Sequence, residues 1–199
     1  VITALVCIDP ALRDPAAQRV AAHRLLDHTL GDRLGVPVAG RRLVRNSFGR
    51  PSLPGPRPLQ VSLAHCEGAV VAAACTGRIG VDVERCRPPD EFAARRMLNP
   101  AERDRLAVAA DPDREFFRCW TVKESYVKAL GVGLSYRVRR LVVSVAADGT
   151  ASLNRPGARV ALDERFEGYV LGFCTLDGET DDPLDRLERV DLEMLEERA

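Results

Sequence analysis

The 199-residue chain has no Cys-x-x-Cys pair and no cysteine–histidine cluster at zinc spacing, although it holds six cysteines. This absence removes zinc ribbons and thioredoxin-type redox motifs from consideration. Several of the cysteines sit in apolar runs, such as "VVAAAC" and "YVLGFC", where reduced, buried thiols in a cytoplasmic protein are expected. No apolar run approaches the roughly 20 residues of a membrane span. The opening "VITALVCID" lacks a basic n-region and reads as a strand, not a signal peptide. Net charge is absent as well, with 29 basic against 29 acidic residues. Nothing therefore draws the whole molecule toward nucleic acid or an anionic membrane. There is no residue-level repeat and no obvious linker. Lysine is almost missing: only Lys123 and Lys128 occur, both in the stretch "FFRCWTVKESYVKALGVGLS".

What is present is an ordinary globular composition, 46% hydrophobic and 29% charged. "VITALVCID" predicts a strand, and "DPAAQRVAAHRLLDHTLGDRLG" predicts a helix with an acidic start and a glycine stop. A turn-rich segment, "RNSFGRPSLPGPRPLQ", precedes three short β-like runs, "VSLAHC", "AVVAAACT" and "RIGVDVER". Helices are expected over "DEFAARRML", over "NPAERDRLAVAA" with Asn99 as cap, and from Arg114 to about Leu130. "RRLVVSVAADGTASLNR" reads as a hairpin around Asp-Gly. "GARVALDER" and "GYVLGFCTL" read as strands, and the acidic tail from Asp181 as an amphipathic helix. The order predicts an α+β fold of two small, similar lobes, 1–100 and 101–199, with a site between them and a monomeric chain.

The lysine-bearing segment contains an anomaly. With Trp120 at zero on a helical wheel, Phe117 lies at about +60°, Phe116 at about −40°, Val127 at about −20° and Glu124 at about +40°. Glu124 thus falls on the apolar stripe, with Lys128 on its edge at about +80°. A Glu–Lys pair at i,i+4 is also the commonplace exposed helix pair. A carboxylate carried inward needs a cation, a metal or strong hydrogen bonds. "GVDVE" offers company, because strand alternation puts Asp82 and Glu84 on one face. An acidic strand end can simply face water. Together with Glu124, however, the pair makes a set of hard oxygen ligands suited to Mg2+, with Mn2+ as an alternative. Upstream, Gly49-Arg50-Pro51 forms a rigid turn presenting an arginine. His65 ends a strand, either as a satisfied core histidine or as a phosphate contact.

In order and spacing, "FGRP", "VSLAHC", "IGVDVE", "MLNPAE" and "WTVKESYVKALGVGLS" resemble the 4′-phosphopantetheinyl transferases of the long, single-chain, Sfp-like type. The resemblance covers roughly 49–135, and "AAHRLL" and "YVLGFCTL" extend it more weakly. Ala64 and Cys66 stand where the family usually has serines around the histidine, and the family's basic segment before the first helix is reduced to Arg13 and Arg19. The resemblance implies transfer of phosphopantetheine from coenzyme A to a serine of an acyl or peptidyl carrier protein, releasing 3′,5′-adenosine diphosphate. It implies that Asp82, Glu84 and Glu124 hold Mg2+, that Lys128 and His65 meet the pyrophosphate, and that Arg24 and Arg50 bind the nucleotide end. Glu124 or Glu102 would take the serine proton. The arginines 95, 96, 103 and 105, with Met97 and Leu98, would rim the cleft toward an acidic carrier. Two other functions stay open: a catalytically lapsed binder of coenzyme A or of a carrier, and another Mg2+-dependent phosphoryl- or nucleotidyl-transfer enzyme.

Overall fold

In the computed structural model, residues 2–37, 42–56, 58–133, 136–177 and 183–196 are described. Leu134 and Ser135 of the lysine-bearing stretch, and both ends of the expected terminal helix, lie outside them. The elements run β1 (Ile2–Ile8), α1 (Pro15–His28), β2 (Val44–Arg45), β3 (Pro51–Leu53), β4 (Leu59–Cys66), β5 (Ala69–Cys75) and β6 (Ile79–Arg85). Then come α2 (Glu91–Met97), α3 (Pro100–Ala107), α4 (Pro112–Leu130), β7 (Val143–Val145), β8 (Ala151–Leu153), β9 (Arg159–Asp163), β10 (Tyr169–Thr175), β11 (Leu187–Arg189) and α5 (Leu192–Glu196).

Helix starts follow local chemistry. Asp14 accepts from Ala17 N at the head of α1, and Asp111 does the same for Arg114 N at the head of α4. Asn99 and Glu102 form a reciprocal capping box on α3. Gly131, at φ 70°, ends α4 in the left-handed conformation. The expected hairpin forms between β7 and β8, with Asp148-Gly149 in its turn. The tail is not the long helix its pattern predicts. Leu187 packs into the core, so β11 pairs in parallel with β1, and only the short α5 follows.

The topology is α+β and internally repeated. In one unit β1 leads to α1, then β4 and β5, with sheet order β1-β5-β4 and antiparallel pairing. In the other, β6 leads to α4, then β9 and β10, with order β6-β10-β9, again antiparallel. The Asp-x-Glu strand, expected within the first hundred residues, is thus hydrogen-bonded to the second unit, whose topology begins at β6. The two sheets face each other through Ile2, Val6, Val71, Val81, Val83 and Phe173. The outer face of the larger sheet packs on α1 through Leu5, Val70, Leu25 and Leu26. α4 covers β6 and β10. β5 is buried on both faces, which is why its sequence is a continuous apolar run.

Candidate active site

The position of β6 against α4 decides the site. Val81 and Val83 point into the inter-sheet core, so Gly80, Asp82 and Glu84 turn toward α4. At Gly80 a side chain would overlap Ser125 O and Ala129 N, and at Gly172 of β10 it would overlap Thr121. Both strands therefore cross α4 at glycines, and the helix settles close on the sheet. At that distance Lys128 Nζ donates to Asp82 Oδ1 at 2.7 Å and to Val81 O at 3.0 Å.

A cleft of about 420 Å3 opens between the units. The first unit contributes Arg19 and His23 of α1, the turn through Gly49, Arg50 and Pro51, and Ser62 and His65 of β4. The second contributes Glu124, Val127 and Lys128 of α4. Among the predicted residues, Gly49, Arg50, Pro51, His65, Glu124 and Lys128 come together here, with Asp82 directly behind Lys128. Glu84 and His65 also line an adjoining open hollow of about 740 Å3. On α4, Trp120, Glu124 and Lys128 form a half-buried line, while Phe116, Phe117, Val122 and Val127 are core. The wheel predicted a buried stripe there. The helix is instead enclosed on its other faces as well, by α2, α3 and β10, and the Glu124 line is the face left to the cleft.

Asn46 builds the turn. Its Oδ1 accepts from Phe48 N at 3.0 Å and Arg50 N at 2.9 Å, and its Nδ2 donates to Gly131 O at 2.9 Å, tying the turn to the end of α4. A side chain at Gly131 would strike the Arg50 Cδ, so glycine at the helix end also makes room for the arginine. Arg50 Nε and Nη2 are buried without an acceptor. Burial foremost, then Arg78, pushes the Arg50 pKa down. An unmatched buried donor costs about 1–3 kcal/mol, and more when charged, so the site is suited to an anion.

The carboxylates carry the complementary strain. Burial raises the pKa of Asp82, Glu84 and Glu124; Asp82 adds to the rise at both glutamates, and Glu84 reaches about 7. Asp82 Oδ2 is buried with no partner. Glu84 Oε2 accepts from Arg87 at 3.3 Å. Among the described residues no group of three or more His, Cys, Asp or Glu side chains is drawn together as a ready metal cage. In kind the donors suit Mg2+: three carboxylates offering hard oxygens, with Asp82 repelling each of the two glutamates and carrying an orphaned buried atom.

Two predicted residues are elsewhere. Arg24 lies about 140° around α1 from Arg19 and lines a separate hollow with Leu12, Leu192 and Glu196. Glu102 is 1% exposed, and its carboxylate accepts from Lys123 Nζ, Asn99 N and Val143 N. Those bonds commit both oxygens and close Glu102 off from the cleft, so it is not available as the base. Both lysines of the chain thus neutralise inward carboxylates, Lys123 at Glu102 and Lys128 at Asp82. Sequence reasoning named Arg19 only as a remnant of a basic segment before the first helix, and it missed His23, Arg45, Asn46 and Ser62. For Arg19 and His23, spacing of i,i+4 beside the buried Ala22 was the available signal. Ala64 is packed in the core, and burial followed by Glu84 and Asp82 holds the Cys66 thiol up at about 12.

The sequence profile of the 4′-phosphopantetheinyl transferase superfamily matches residues 78–174. The Sfp 4′-phosphopantetheinyl transferase of Bacillus subtilis is 28% identical over 169 residues, 77% of this chain and 74% of that protein. The HetI 4′-phosphopantetheinyl transferase of a Nostoc species is 36% identical over 124 residues, 58% of this chain and 52% of that protein. A crystal structure of the Neisseria meningitidis holo-[acyl-carrier-protein] synthase aligns with 51% of this chain and 97% of its own, at 20% identity and a TM-score of 0.44. The superfamily profile runs from the approach to β6 into β10, the whole of the second unit, and the Bacillus relative extends the likeness across three quarters of the chain. By these matches the second unit carries the profile of the 4′-phosphopantetheinyl transferase superfamily, and the chain as a whole is similar to its Sfp-like members.

Proposed function

We propose that the protein transfers the 4′-phosphopantetheine group of coenzyme A to a serine hydroxyl of an acyl or peptidyl carrier protein and releases 3′,5′-adenosine diphosphate. The supporting observation is the cleft: buried, unmatched guanidinium nitrogens of Arg50 on one wall, and Glu124 and Lys128 over the orphaned Asp82 oxygen on the other. That arrangement suits a pyrophosphate spanning the two units. Arg50 and Arg19 bind the nucleotide end, Arg50 as a fork on phosphate. Lys128 and His65 face the pyrophosphate. Asp82, Glu84 and Glu124 would hold Mg2+, which when bound neutralises charge on the phosphates.

The serine oxygen bonds to the phosphorus that carries pantetheine. The bridging P–O bond breaks, and its electron pair leaves on the nucleotide phosphate. The serine proton passes to a base, and with Glu102 sealed in its hydrogen bonds the cleft offers Glu124 for that role. We further read the chain as a monomer acting in the cytoplasm. Among the described residues, which include all six cysteines, there is no disulfide, and no helix is long and apolar enough to cross a membrane.

The test is mass spectrometry of an apo carrier protein incubated with the protein, coenzyme A and Mg2+. A mass gain of one phosphopantetheine on the carrier is expected. Release of phosphate or pyrophosphate without carrier modification would overturn the assignment.

A further inference from the structure

His65 is held from behind by a residue outside the family-like motifs. Gln18 of α1 is 5% exposed. Its Nε2 donates to Leu12 O at 3.0 Å and to Arg13 O at 3.2 Å, in the turn that leads into the helix. Its Oε1 lies 3.0 Å from His65 Nδ1. An amide has one donor end and one acceptor end. Turning this one over would set its oxygen against two carbonyl oxygens, losing both bonds, so the acceptor end is committed to the imidazole. An acceptor at Nδ1 requires the ring proton there.

We propose that Gln18 is a positioning residue for His65, holding the ring in the Nδ1–H tautomer and leaving Nε2 as the nitrogen available to the cleft. Free neutral imidazole side chains in water favour the proton on Nε2, so the fold reverses the ordinary preference. Burial, then Lys128 and Arg19, which face the ring from α4 and α1, hold His65 below the usual histidine range and toward the neutral form. In that form Nε2 is an acceptor. A phosphate oxygen meeting it must be accompanied by a proton, which makes His65 a contact that forms with the bound anion and is not present beforehand.

The assignment of Gln18 rests on the transferase reading only for its kinetic consequence. The tautomer is read without substrate, by long-range 1H–15N correlation of the histidine rings in the full chain. Three histidines are present, and a His65→Gln variant assigns the signal. Wild type should show the Nδ1–H pattern for His65, and Gln18→Leu should move it toward Nε2–H. With a carrier substrate, Gln18→Leu should lower kcat/KM for coenzyme A by about tenfold or more, as loss of an orienting partner does elsewhere. A wild-type Nε2–H pattern overturns the proposal, whether or not the variant folds. So does a folded Gln18→Leu protein that keeps Nδ1–H. If carrier modification fails while the tautomer behaves as expected, the transferase reading falls and the positioning of His65 stands.

Discussion

Arg19 and Arg24 lie on the same helix five residues apart, and their different directions are expected to separate them in kinetics. Arg19→Ala should raise KM for coenzyme A several-fold with little change in kcat, because it removes a remote binding contact. Arg24→Ala should leave both unchanged, since Arg24 lines the hollow with Leu192 and Glu196. Steady-state kinetics decides this, and equal effects from the two variants would remove Arg19 from the site. Glu84 makes a prediction in pH. Its carboxyl is raised from 4.5 to about 7 by burial and by Asp82. A raised folded-state pKa favours the protonated form, so this contribution to stability is present below about 4.5 and is lost as pH rises through about 7. In metal-free protein, Glu84→Gln should therefore raise Tm relative to wild type at pH 8, with the difference fading by pH 5. Added Mg2+ should narrow the gap at pH 8 by stabilising the wild type. Thermal melts at the two pH values check it, and parallel curves would show that Glu84 is not held in its strained form.

At the scale of elements, the contact of α4 with β6 and β10 carries the arrangement. Gly80→Ala puts a methyl group against the backbone of α4, where no flexible side chain can yield. Overpacking of this kind costs about 1–3 kcal/mol, which in a chain of this size is a fall of roughly 3–10 °C in Tm. Activity should fall further than stability, because raising α4 off the strand parts Lys128 from Asp82. Calorimetry and turnover measured on the folded variant test it together, and unchanged Tm and kcat would refute the close crossing. Much of this local structure was legible. Asp14, Asn99 and Asp-Gly mark caps and a turn through side chain–backbone bonds a few residues apart. The tail was not legible, because whether Leu187 belongs to a helix face or a strand depends on β1, which is distant in the chain.

For the whole molecule, the two-unit arrangement leaves α2 on the outside. Met97 and Leu98, expected as apolar contacts for a carrier, are core residues, and Arg105 is engaged with Glu115 and Cys119. Within α2 the exposed large apolar side chain is Phe92, 71% accessible, with Arg95, Arg96 and Arg103 also exposed nearby in sequence. With no net charge on the molecule, attraction to an acidic carrier must be local. Reversing Arg95 and Arg96 to Glu should raise the carrier KM at low salt, with the defect shrinking as salt increases, while coenzyme A kinetics stay the same. Phe92→Ala should raise the carrier KM at every salt concentration. If neither change affects carrier kinetics at low ionic strength, the carrier docks on another face.

The sequence by itself determined the α+β order of elements, the strand face shared by Asp82 and Glu84, the rigid turn at Arg50 and the placing of Glu124 and Lys128 along one side of α4. Each follows from backbone periodicity or from bonds spanning a few residues, which act wherever the chain later folds. Only the tertiary structure decided that β6 belongs with β10, that Arg19 and not Arg24 faces the cleft, and that Glu102 is sealed beneath Lys123 while Glu124 stays open. Those outcomes depend on which surfaces meet across the two units. A helix wheel or strand alternation gives the direction of a side chain from its own backbone, but burial and partnership come from residues far away in the chain.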